Sequence, residues 1–394
     1  MDSKNLVIIS IGDEILSGRT VNTNASYLSR IFASAGIKTL RHIAAGDRKE
    51  DIADTVTHCM KAADIIIITG GIGPTDDDIT IESVADALGQ NLTVNGTLKD
   101  QFAERLSDDR IAVKLATVMD NAELLDNGEG LAYGQYVRIS ETDIFILPGV
   151  PEEVRDITEN RIITKYESTG HSTGYLRTSG IYESEILKEL RQKAGSALAE
   201  RTALLPFAGG VDIVLYEPSE GDYSRLQDIF SEYIYSRTMD ESLSERVGAI
   251  LKERELTLSS AESCTAGLVS KLITDTPGSS RYFRGGIAAY SNDVKSSVLD
   301  VDGEILNRHG AVSRQAAEAM ALGIRELMRS DIGISVTGIA GPGGGTESKP
   351  RGLVHMAVAF NEMTSYQYKF NGSRSSNRNF SAYYLLFNLY RRLR

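Results

Sequence analysis

The 394-residue sequence contains no tryptophan and only two cysteines. Since Cys59 and Cys264 lie in unrelated contexts, we expect neither a disulfide framework nor a cysteine zinc site. No apolar run reaches the roughly 18 residues that a membrane-spanning helix needs, and no signal peptide precedes the first apolar stretch. We therefore expect a cytoplasmic protein in a reducing compartment, with no membrane contact.

The chain also lacks an excess of positive charge. Its 42 Lys and Arg residues are outnumbered by 54 Asp and Glu residues, which gives a net charge of −12. This balance argues against direct binding of nucleic acid but permits a local anion site. Because the chain is too long for one ordinary hydrophobic core, we expect two or three domains.

The first part of the sequence predicts an α/β domain with a doubly wound sheet. Predicted strands at residues 6–11, 39–44 and 64–69, of which the first and third are largely apolar, alternate with helical patterns, and ligands bind at the carboxyl ends of such strands. The third run ends in the glycine-rich residues 70–80, which include three consecutive aspartates. Glycines let the backbone approach a phosphate, and the carboxylates would then require a bridging divalent cation. The alternative is a tight turn whose aspartates cap the next helix, and the spacing does not decide between the two.

This loop, with residues 12–18 and 22–25, resembles a molybdopterin-binding-type domain and, more closely, the CinA family of competence/damage-inducible proteins. The resemblance implies binding of a nucleotide-phosphate or pterin-phosphate. In CinA proteins this domain is associated with metal-dependent ADP-ribose pyrophosphatase activity. The resemblance implies that Gly71, Gly73 and Thr75 contact phosphate. It also implies that Asp47 and Asp78 could hold a divalent metal.

Two stretches depart from the family pattern. Residues 114–117 read Lys-Leu-Ala-Thr where the family usually has Asn and Gln-Ala, and residues 130–134 read Gly-Leu-Ala-Tyr-Gly where it has Gly-Thr-Ala-Pro-Gly. These positions should contact the ligand of the domain. We therefore expect the fold to be retained and the pyrophosphatase activity to be weak or absent.

The middle of the chain, residues 169–240, predicts a small α+β domain. Strands are expected at 176–181 and 211–216, and helices at 184–194 and 223–235. In CinA proteins this segment resembles a KH-type fold. No Gly-x-x-Gly loop with flanking basic residues is present, so we do not infer RNA binding. We favour the interpretation that residues 169–240 form a spacer, which also helps the chain to form a homodimer.

Residues 259–267 read Ser-Ser-Ala-Glu-Ser-Cys-Thr-Ala-Gly. They follow a predicted strand at 255–258 and precede helical apolar spacing at 268–274. Ser263 is therefore expected where a strand turns into a helix, and the unpaired N–H groups of a helix start favour an anion. The alternative is that Ser263 only caps the helix and Glu262 is a surface charge.

Lys295 lies near the predicted start of another helix, where a positive charge is disfavoured. Burial would lower its pKa in addition, and a neutral lysine amine can act as a general base. With Ser263 it would give the Ser-Lys arrangement of some acyl-transfer enzymes, and Tyr290 could orient the proton. From spacing alone, the alternative of a solvated surface lysine is favoured.

Two further features lie near the end of the chain. The glycine-rich residues 338–346 follow an apolar stretch at 331–337 and indicate a ligand loop rather than a connector. Arg374 follows the predicted last strand at 366–370. It either clamps a phosphate or is a surface charge at a helix start.

The motifs at 261–267, 290–295, 337–342 and 349–350 together resemble the C-terminal domain of CinA, the nicotinamide-nucleotide amidase family. The resemblance spans residues 241–394, after an N-terminal domain at 1–168 and the middle domain at 169–240. It implies hydrolysis of nicotinamide mononucleotide, a small-molecule nucleotide, to nicotinate mononucleotide and ammonia without a cofactor. It implies Ser263 as nucleophile, Lys295 as base and Tyr290 as helper. Substrate contacts are implied for Glu262, Thr265, Thr337, Gly338 and Arg374.

Two alternatives stay open. Cys264 with Glu262 and Lys295 would mimic the Cys-Glu-Lys set of other amidases. Adjacent residues leave a turn in different directions, however, so only one of Ser263 and Cys264 can face a substrate. The chain could instead be a non-catalytic sensor or scaffold that binds a nucleotide or a pterin.

Overall fold

The computed structural model describes residues 4–166, 173–216 and 218–394. The chain divides into two compact units, Met1–Thr173 and Gly174–Arg394. The predicted middle segment thus shares a unit with the C-terminal segment, and the three-domain division stays a prediction. None of the described helices combines the length and the apolar composition that crossing a lipid bilayer requires.

The first unit is built on a six-stranded sheet. The strands of the whole unit are β1 (Asn5–Ile11), β2 (Lys38–Ala45), β3 (Ile65–Thr69), β4 (Leu92–Val94), β5 (Thr117–Met119), β6 (Glu123–Leu125), β7 (Gly134–Ile139) and β8 (Thr142–Leu147). Its helices are α1 (Asp13–Leu16), α2 (Thr23–Ser34), α3 (Lys49–Cys59), α4 (Thr80–Leu88), α5 (Gly96–Arg105), α6 (Asp109–Leu115) and α7 (Pro151–Ile157). The sheet order is β2-β1-β3-β8-β7-β6, and β4 pairs with β5 separately.

Strands β2, β1, β3 and β8 of this sheet are parallel. Side chains alternate between the two faces of a strand, so a continuous apolar run fills both sides of a covered sheet. On one face Val7 and Ile9 pack with Val56 of α3, and on the other Leu6 and Ile8 pack with Phe32 of α2. The predicted α/β class is therefore confirmed, with helices on both faces of the sheet.

The second unit contains two sheets. Its strands are β9 (Thr173–Ser179), β10 (Thr202–Phe207), β11 (Gly210–Tyr216), β12 (Ile234–Ser236), β13 (Leu258–Glu262), β14 (Phe283–Ala288), β15 (Ile332–Gly338), β16 (Leu353–Phe360) and β17 (Glu362–Lys369). Its helices are α8 (Glu183–Glu189), α9 (Ser196–Glu200), α10 (Glu220–Phe230), α11 (Leu243–Glu253), α12 (Leu268–Thr274), α13 (Asn292–Leu299), α14 (Gly303–His309), α15 (Arg314–Met328) and α16 (Arg374–Leu393).

The smaller sheet has the order β10-β11-β9-β12 and its own apolar cluster. The predicted helix at 223–235 is wrong at its end, because α10 stops at Phe230 and β12 pairs antiparallel with β9. The aromatic and β-branched residues after Phe230 suit an edge strand better than a helix end. The segment also packs on α16, where the rings of Phe207 and Tyr383 lie 6.2 Å apart.

The larger sheet has the order β14-β13-β15-β16-β17. Strand β13 is parallel to both β14 and β15, and the last two strands are antiparallel. Helices α11, α12 and α16 pack on one face, and α13, α14 and α15 on the other. The carboxyl ends of β13, β14 and β15 therefore meet at one edge, where α/β sheets bind ligands.

One predicted strand in this segment is wrong in its bounds. The strand predicted at 255–258 is β13 at Leu258–Glu262, since the buried hydroxyls of Ser259 and Ser260 find partners in Ser330 and in Ser270 of α12. The Ser259 Oγ lies 2.6 Å from Ser330 Oγ, so a small polar residue can be buried there. The terminal helix α16 begins at Arg374, so this arginine does lie at a helix start.

Candidate active site

The carboxyl ends of β13, β14 and β15 open into a cavity of about 210 Å³. Six of the residues predicted for the C-terminal site line it, and two, Glu262 and Thr265, do not. The lining residues are Ser263, Cys264, Tyr290, Lys295, Ala311, Val312, Thr337, Gly338, Ala340 and Arg374. Residues that are far apart in sequence thus meet in one space.

Lys295 and Ser263 are hydrogen-bonded inside this cavity. The Lys295 Nζ lies 3.2 Å from Ser263 Oγ, and the two residues are 1% and 9% exposed. The same nitrogen donates to the main-chain oxygens of Ala289 at 2.8 Å and Tyr290 at 3.3 Å. Burial lowers the pKa of Lys295. The solvated surface lysine, which the spacing favoured, is therefore wrong.

These contacts can be satisfied by a protonated amine, which would donate to all three oxygens, and equally by a neutral amine that accepts the Ser263 hydroxyl proton. A protonated lysine offers three N–H donors and no acceptor. A neutral lysine has two N–H bonds and one lone pair. The carbonyls of Ala289 and Tyr290 can take both N–H bonds. The lone pair is then left for the hydroxyl proton of Ser263, which is the geometry of a general base beside a nucleophile.

The main chain holds Ser263 at a sharp turn. Its N–H donates to the oxygen of Val336 on the neighbouring strand, at 2.9 Å. Ala266 and Gly267 then both have positive φ, 48° and 93°, before α12 begins. A left-handed alanine is unfavourable, so surrounding contacts must hold the turn in this shape. The serine is thus fixed by the strand behind it and the turn ahead of it.

Glu262 occupies the start of α12. It is 1% exposed, and its carboxylate accepts the N–H groups of Gly267, Val269 and Ser270 at 2.8–3.0 Å and the Ser270 hydroxyl at 2.7 Å. The helix start is therefore closed to an external anion, which corrects the expectation of an open anion site there. Glu262 is not a surface charge either; its carboxylate holds the turn that carries Ser263.

Thr265, the other predicted contact outside the cavity lining, is completely buried. Its hydroxyl has no hydrogen-bond partner among the described residues. Within the same residues, the main-chain N–H groups of Cys264 and Thr265 have no backbone acceptor. These two N–H groups follow Ser263 directly along the chain.

Cys264 lines the cavity, but its thiol is a weak nucleophile. The residue is 7% exposed, and burial raises the pKa of the thiol to about 12. The thiolate is the reactive form of cysteine, so this side chain is almost wholly protonated near neutral pH. Of the two neighbours, Ser263 is the one in contact with a base.

Arg374 and Tyr290 interact at the mouth of the cavity. The guanidinium donates from Nη1 to Gly341 O at 2.6 Å and from Nη2 to the Tyr290 hydroxyl at 3.1 Å. Tyr290 is 61% exposed, and it reaches Lys295 through its main-chain oxygen rather than its hydroxyl. The predicted helper role of the phenol therefore has no direct contact with the amine. Thr337 donates its hydroxyl to Ala311 O at 2.7 Å.

Sequence reasoning missed two residues of α16. Arg378 donates to Cys264 O at 3.1 Å and to Thr265 O at 2.6 Å, so it holds the turn after Ser263. Asn377 is buried and donates to Ala340 O at 3.0 Å. Both lie three or four positions after Arg374, on the same helix face. The signal was available, since Ser373 is an N-cap type residue directly before Arg374, which places Asn377 and Arg378 in the first turns of a helix.

A second cavity, of about 830 Å³, lies at the carboxyl ends of β1, β3 and β8. Gly71, Gly73, Asp47 and Asp78 line it as predicted, whereas Thr75 does not. Gly71 has a φ of 67°, and a Cβ there would collide with Thr80 Oγ1. The glycine is thus required by a positive φ and a close approach.

The two predicted metal ligands are already engaged. Asp47 accepts the Asp13 N–H at 2.9 Å, and Asp78 accepts the N–H and hydroxyl of Thr75 at 2.9 and 2.6 Å. Burial raises the pKa of Asp47, and the charge of Glu14 adds to the effect. Among the described residues, no three His, Cys, Asp or Glu side chains are grouped to hold an ion. The donor set does not fit a metal held by protein alone, so we derive no step through one.

The two departures from the family pattern both lie at this cavity or beside it. The Lys114 amine bonds the main-chain oxygen of Thr75, in the glycine-rich loop. Gly130 and Leu131 line the cavity itself. Among the departures, Leu131 is therefore a position that a ligand of this cavity would meet, whereas Lys114 acts on the glycine-rich loop from beside the cavity.

The comparisons with known proteins agree on the family. The probable molybdopterin binding domain matches residues 7–166 and the CinA C-terminal domain matches residues 240–393. The chain is 38% identical to a putative competence-damage inducible protein of Desulforudis audaxviator, over 89% of this chain and 90% of that one. It is 34% identical to a CinA-like protein of Acidobacterium capsulatum, over 98% of this chain and 99% of the other.

A solved structure, the competence/damage inducible protein CihA from Agrobacterium tumefaciens, is 37% identical and covers 38% of this chain and 92% of its own, with a TM-score of 0.37. The likeness to the curated relatives extends over nearly the full chain. This chain belongs to the CinA family.

Proposed function

We propose that the C-terminal segment hydrolyses the carboxamide of nicotinamide mononucleotide and releases ammonia and nicotinate mononucleotide. The observation that carries the proposal is the 3.2 Å contact between Ser263 Oγ and a buried Lys295 Nζ with a lowered pKa. An unactivated serine does not attack an amide, so the reaction needs a base within hydrogen-bond reach. Lys295 supplies that base without a metal or a histidine.

The proposed reaction has two halves. Ser263 Oγ attacks the carboxamide carbon while Lys295 Nζ takes the hydroxyl proton. The tetrahedral intermediate then breaks its C–N bond, and the lysine ammonium returns the proton to the departing nitrogen, which leaves as ammonia. In the second half Lys295 takes a proton from water, the hydroxide attacks the acyl-serine, and nicotinate leaves as Ser263 regains its proton.

Two further groups support this substrate. Cys264 lines the cavity next to Ser263, and its main-chain N–H would be a donor to the oxyanion that forms on the carboxamide oxygen. Arg374 lines the same cavity with a guanidinium that can bind a phosphate with two N–H bonds. The substrate would thus be held by its phosphate at the mouth and by its amide at Ser263.

The test is ammonia release from nicotinamide mononucleotide by the full chain, with Ser263→Ala beside it. We expect turnover by the wild type and none by the variant. Saturable binding of the nucleotide by the wild type without ammonia release would instead assign the chain to the class of non-catalytic sensors.

For the N-terminal cavity we propose weak or absent hydrolysis of ADP-ribose. Lys114 holds the Thr75 carbonyl, Asp78 is bonded to Thr75, and Leu131, which lines the cavity, stands where the family usually has threonine. A ligand of this cavity would meet a loop that is already tied to its own side chains.

A further inference from the structure

The second unit contains another cavity, of about 470 Å³, away from Ser263. It lies where the middle segment meets the C-terminal segment, between the end of α10, strand β12, helix α11 and the end of α16. Three arginines line it, Arg237, Arg246 and Arg394, and they come from three different parts of the chain. Glu241 is the one acidic residue among its lining residues.

The charge of these arginines is not cancelled by the protein. Arg394 donates from Nη1 to the main-chain oxygen of Ser231 at 2.7 Å, which is a neutral acceptor. Arg237 donates to the Gln227 side-chain oxygen, with Nη2 at 2.9 Å, in the amide orientation that gives both groups a partner. Arg246 is exposed and has no side-chain partner among the described residues. Two guanidiniums are therefore positioned without being neutralised, and the third is free.

The lining has three arginine side chains against one glutamate side chain, in a chain whose net charge is −12. A local cationic concavity in an acidic protein attracts and retains anions. Guanidinium groups also match the oxygens of a phosphate in pairs, which an ammonium does not. The hydroxyls of Ser236 and Thr238 add neutral hydrogen-bonding groups to the lining.

We propose that this cavity, which we call the three-arginine cavity, binds the diphosphate group of a small molecule. A diphosphate presents several negatively charged oxygens, which guanidinium groups from different parts of the lining can bind in pairs. The volume of about 470 Å³ falls within the range of about 300–1,000 Å³ that small-molecule sites occupy. The strongly acidic chain disfavours a polynucleotide, which needs a wide cationic surface rather than one concavity.

The three-arginine cavity is distinct from the site at Ser263. Arg394 follows the last residue of α16 and Arg374 is the first residue of that helix. The 20 residues of α16 span about 30 Å at the usual rise of an α-helix. The inference does not depend on the proposed amidase activity, because none of its lining residues takes part in that reaction.

The test is calorimetric titration of the full chain with inorganic diphosphate at low salt. We expect saturable binding that Arg246→Gln and Arg237→Gln each weaken at least tenfold. The matched control is Arg254→Gln, which removes the same charge from an exposed position directly after α11 and should keep the wild-type affinity within twofold. Arg374→Gln should leave the same binding event intact, since it belongs to the other cavity.

Absence of saturable diphosphate binding would overturn the inference, as would equal weakening by Arg254→Gln and Arg246→Gln. Binding of a single-stranded oligonucleotide that depends on Arg246, without binding of diphosphate, would overturn it in favour of a nucleic-acid site. A thermal unfolding scan of each variant distinguishes lost binding from lost folding. Because Arg246 is exposed and unpaired, we expect Arg246→Gln to unfold at the wild-type temperature.

Discussion

Arg378 donates to the main-chain oxygens of both Cys264 and Thr265, 114 and 113 positions away along the chain. A single guanidinium on α16 thereby fixes the turn that follows Ser263. The turn contains a left-handed alanine, so it depends on such outside support. The last helix of the chain is therefore part of the framework of the candidate active site.

The first prediction separates the two possible nucleophiles. We expect Cys264→Ala to retain most of the ammonia release from nicotinamide mononucleotide, because burial keeps the Cys264 thiol protonated. Ser263→Ala should reduce kcat by at least about a thousandfold, since serine and its base act as a unit. Both variants are assayed at equal concentration after a check of folding by circular dichroism. The reverse pattern would move the role to the thiol.

The second prediction concerns pH. Burial lowers the pKa of Lys295 below the 10.5 of an ordinary lysine, and only the neutral amine accepts a proton. We therefore expect kcat/KM to rise with pH through this lowered pKa and to level off above it. Lys295→Ala should reduce kcat/KM about 10²- to 10⁴-fold, the usual contribution of a general base. An exposed control, Lys271→Ala, should keep the wild-type profile.

Folding stability should follow the same group. Between the lowered pKa of Lys295 and 10.5, the unfolded chain binds more protons than the folded one. The contribution of Lys295 to the free energy of unfolding therefore rises with pH across that window. Urea titrations of wild type and Lys295→Met at several pH values measure it. A difference between the two proteins that does not change with pH would contradict a lysine buried in its neutral form.

The third prediction tests the role of Arg374 in binding phosphate. A charged hydrogen bond of this kind is worth about 1.5–3 kcal/mol, so Arg374→Gln should raise KM for nicotinamide mononucleotide about 10- to 150-fold. Nicotinamide riboside lacks the phosphate, and its kcat/KM should be equal for wild type and variant. Arg281→Gln, at an exposed arginine, is the charge-matched control. An equal loss with both substrates would show that Arg374 only shapes the cavity.

The fourth prediction concerns Glu262, whose carboxylate fills the start of α12. Glu262→Ala removes the acceptor of buried N–H groups, each of which costs about 1–3 kcal/mol when left unpaired. We expect a lower thermal midpoint for the transition that includes the C-terminal segment, together with reduced kcat. Glu253→Ala, at an exposed glutamate, should change neither quantity. Unchanged stability of Glu262→Ala would contradict the capping role.

The fifth prediction applies to the N-terminal cavity. We expect little or no hydrolysis of ADP-ribose by the full chain, with or without added Mg²⁺ or Mn²⁺. The expectation follows from the residues at 114–117 and 130–134 and from the engaged carboxylates of Asp47 and Asp78. The AMP released by the wild type is compared with the AMP released by a Gly71→Ala variant, whose added Cβ would collide with Thr80. Robust metal-dependent turnover by the wild type would refute the prediction.

The sequence predicted the parallel strands well, because runs such as residues 64–69 are apolar on both faces and can only be covered strands. The strand predicted at 255–258 lies too early, since Ser259 and Ser260 look like turn residues until their partners Ser330 and Ser270 are known. Local patterns do not contain such long-range hydrogen bonds.

In the candidate site, too, the contacts that depend on the fold could not be predicted from local sequence patterns. Ser263, Lys295 and Arg374 could be chosen from residue type and resemblance, and all three line one cavity. Spacing could not reveal that Lys295 is buried, because its helix neighbours are polar while the carbonyls that bind it come from the preceding residues. Nor could it reveal that Glu262 turns toward α12, since that orientation depends on the fold of the turn.

The pairing of β13 with β14 sets how accurately the candidate base meets the candidate nucleophile. Ser263 follows β13 directly, and the Ala289 carbonyl that holds the lysine follows β14 directly. Glu262 and Ala288 face each other across the two strands. Sliding one strand by a single residue would displace the amine from the hydroxyl by about 3.3 Å, more than the slack in any hydrogen bond. The distance between the Lys295 amine and the Ser263 hydroxyl therefore depends on the register of β13 and β14. A substitution that shifted this register, even far from the cavity, would reduce the activity of Ser263 without unfolding the protein.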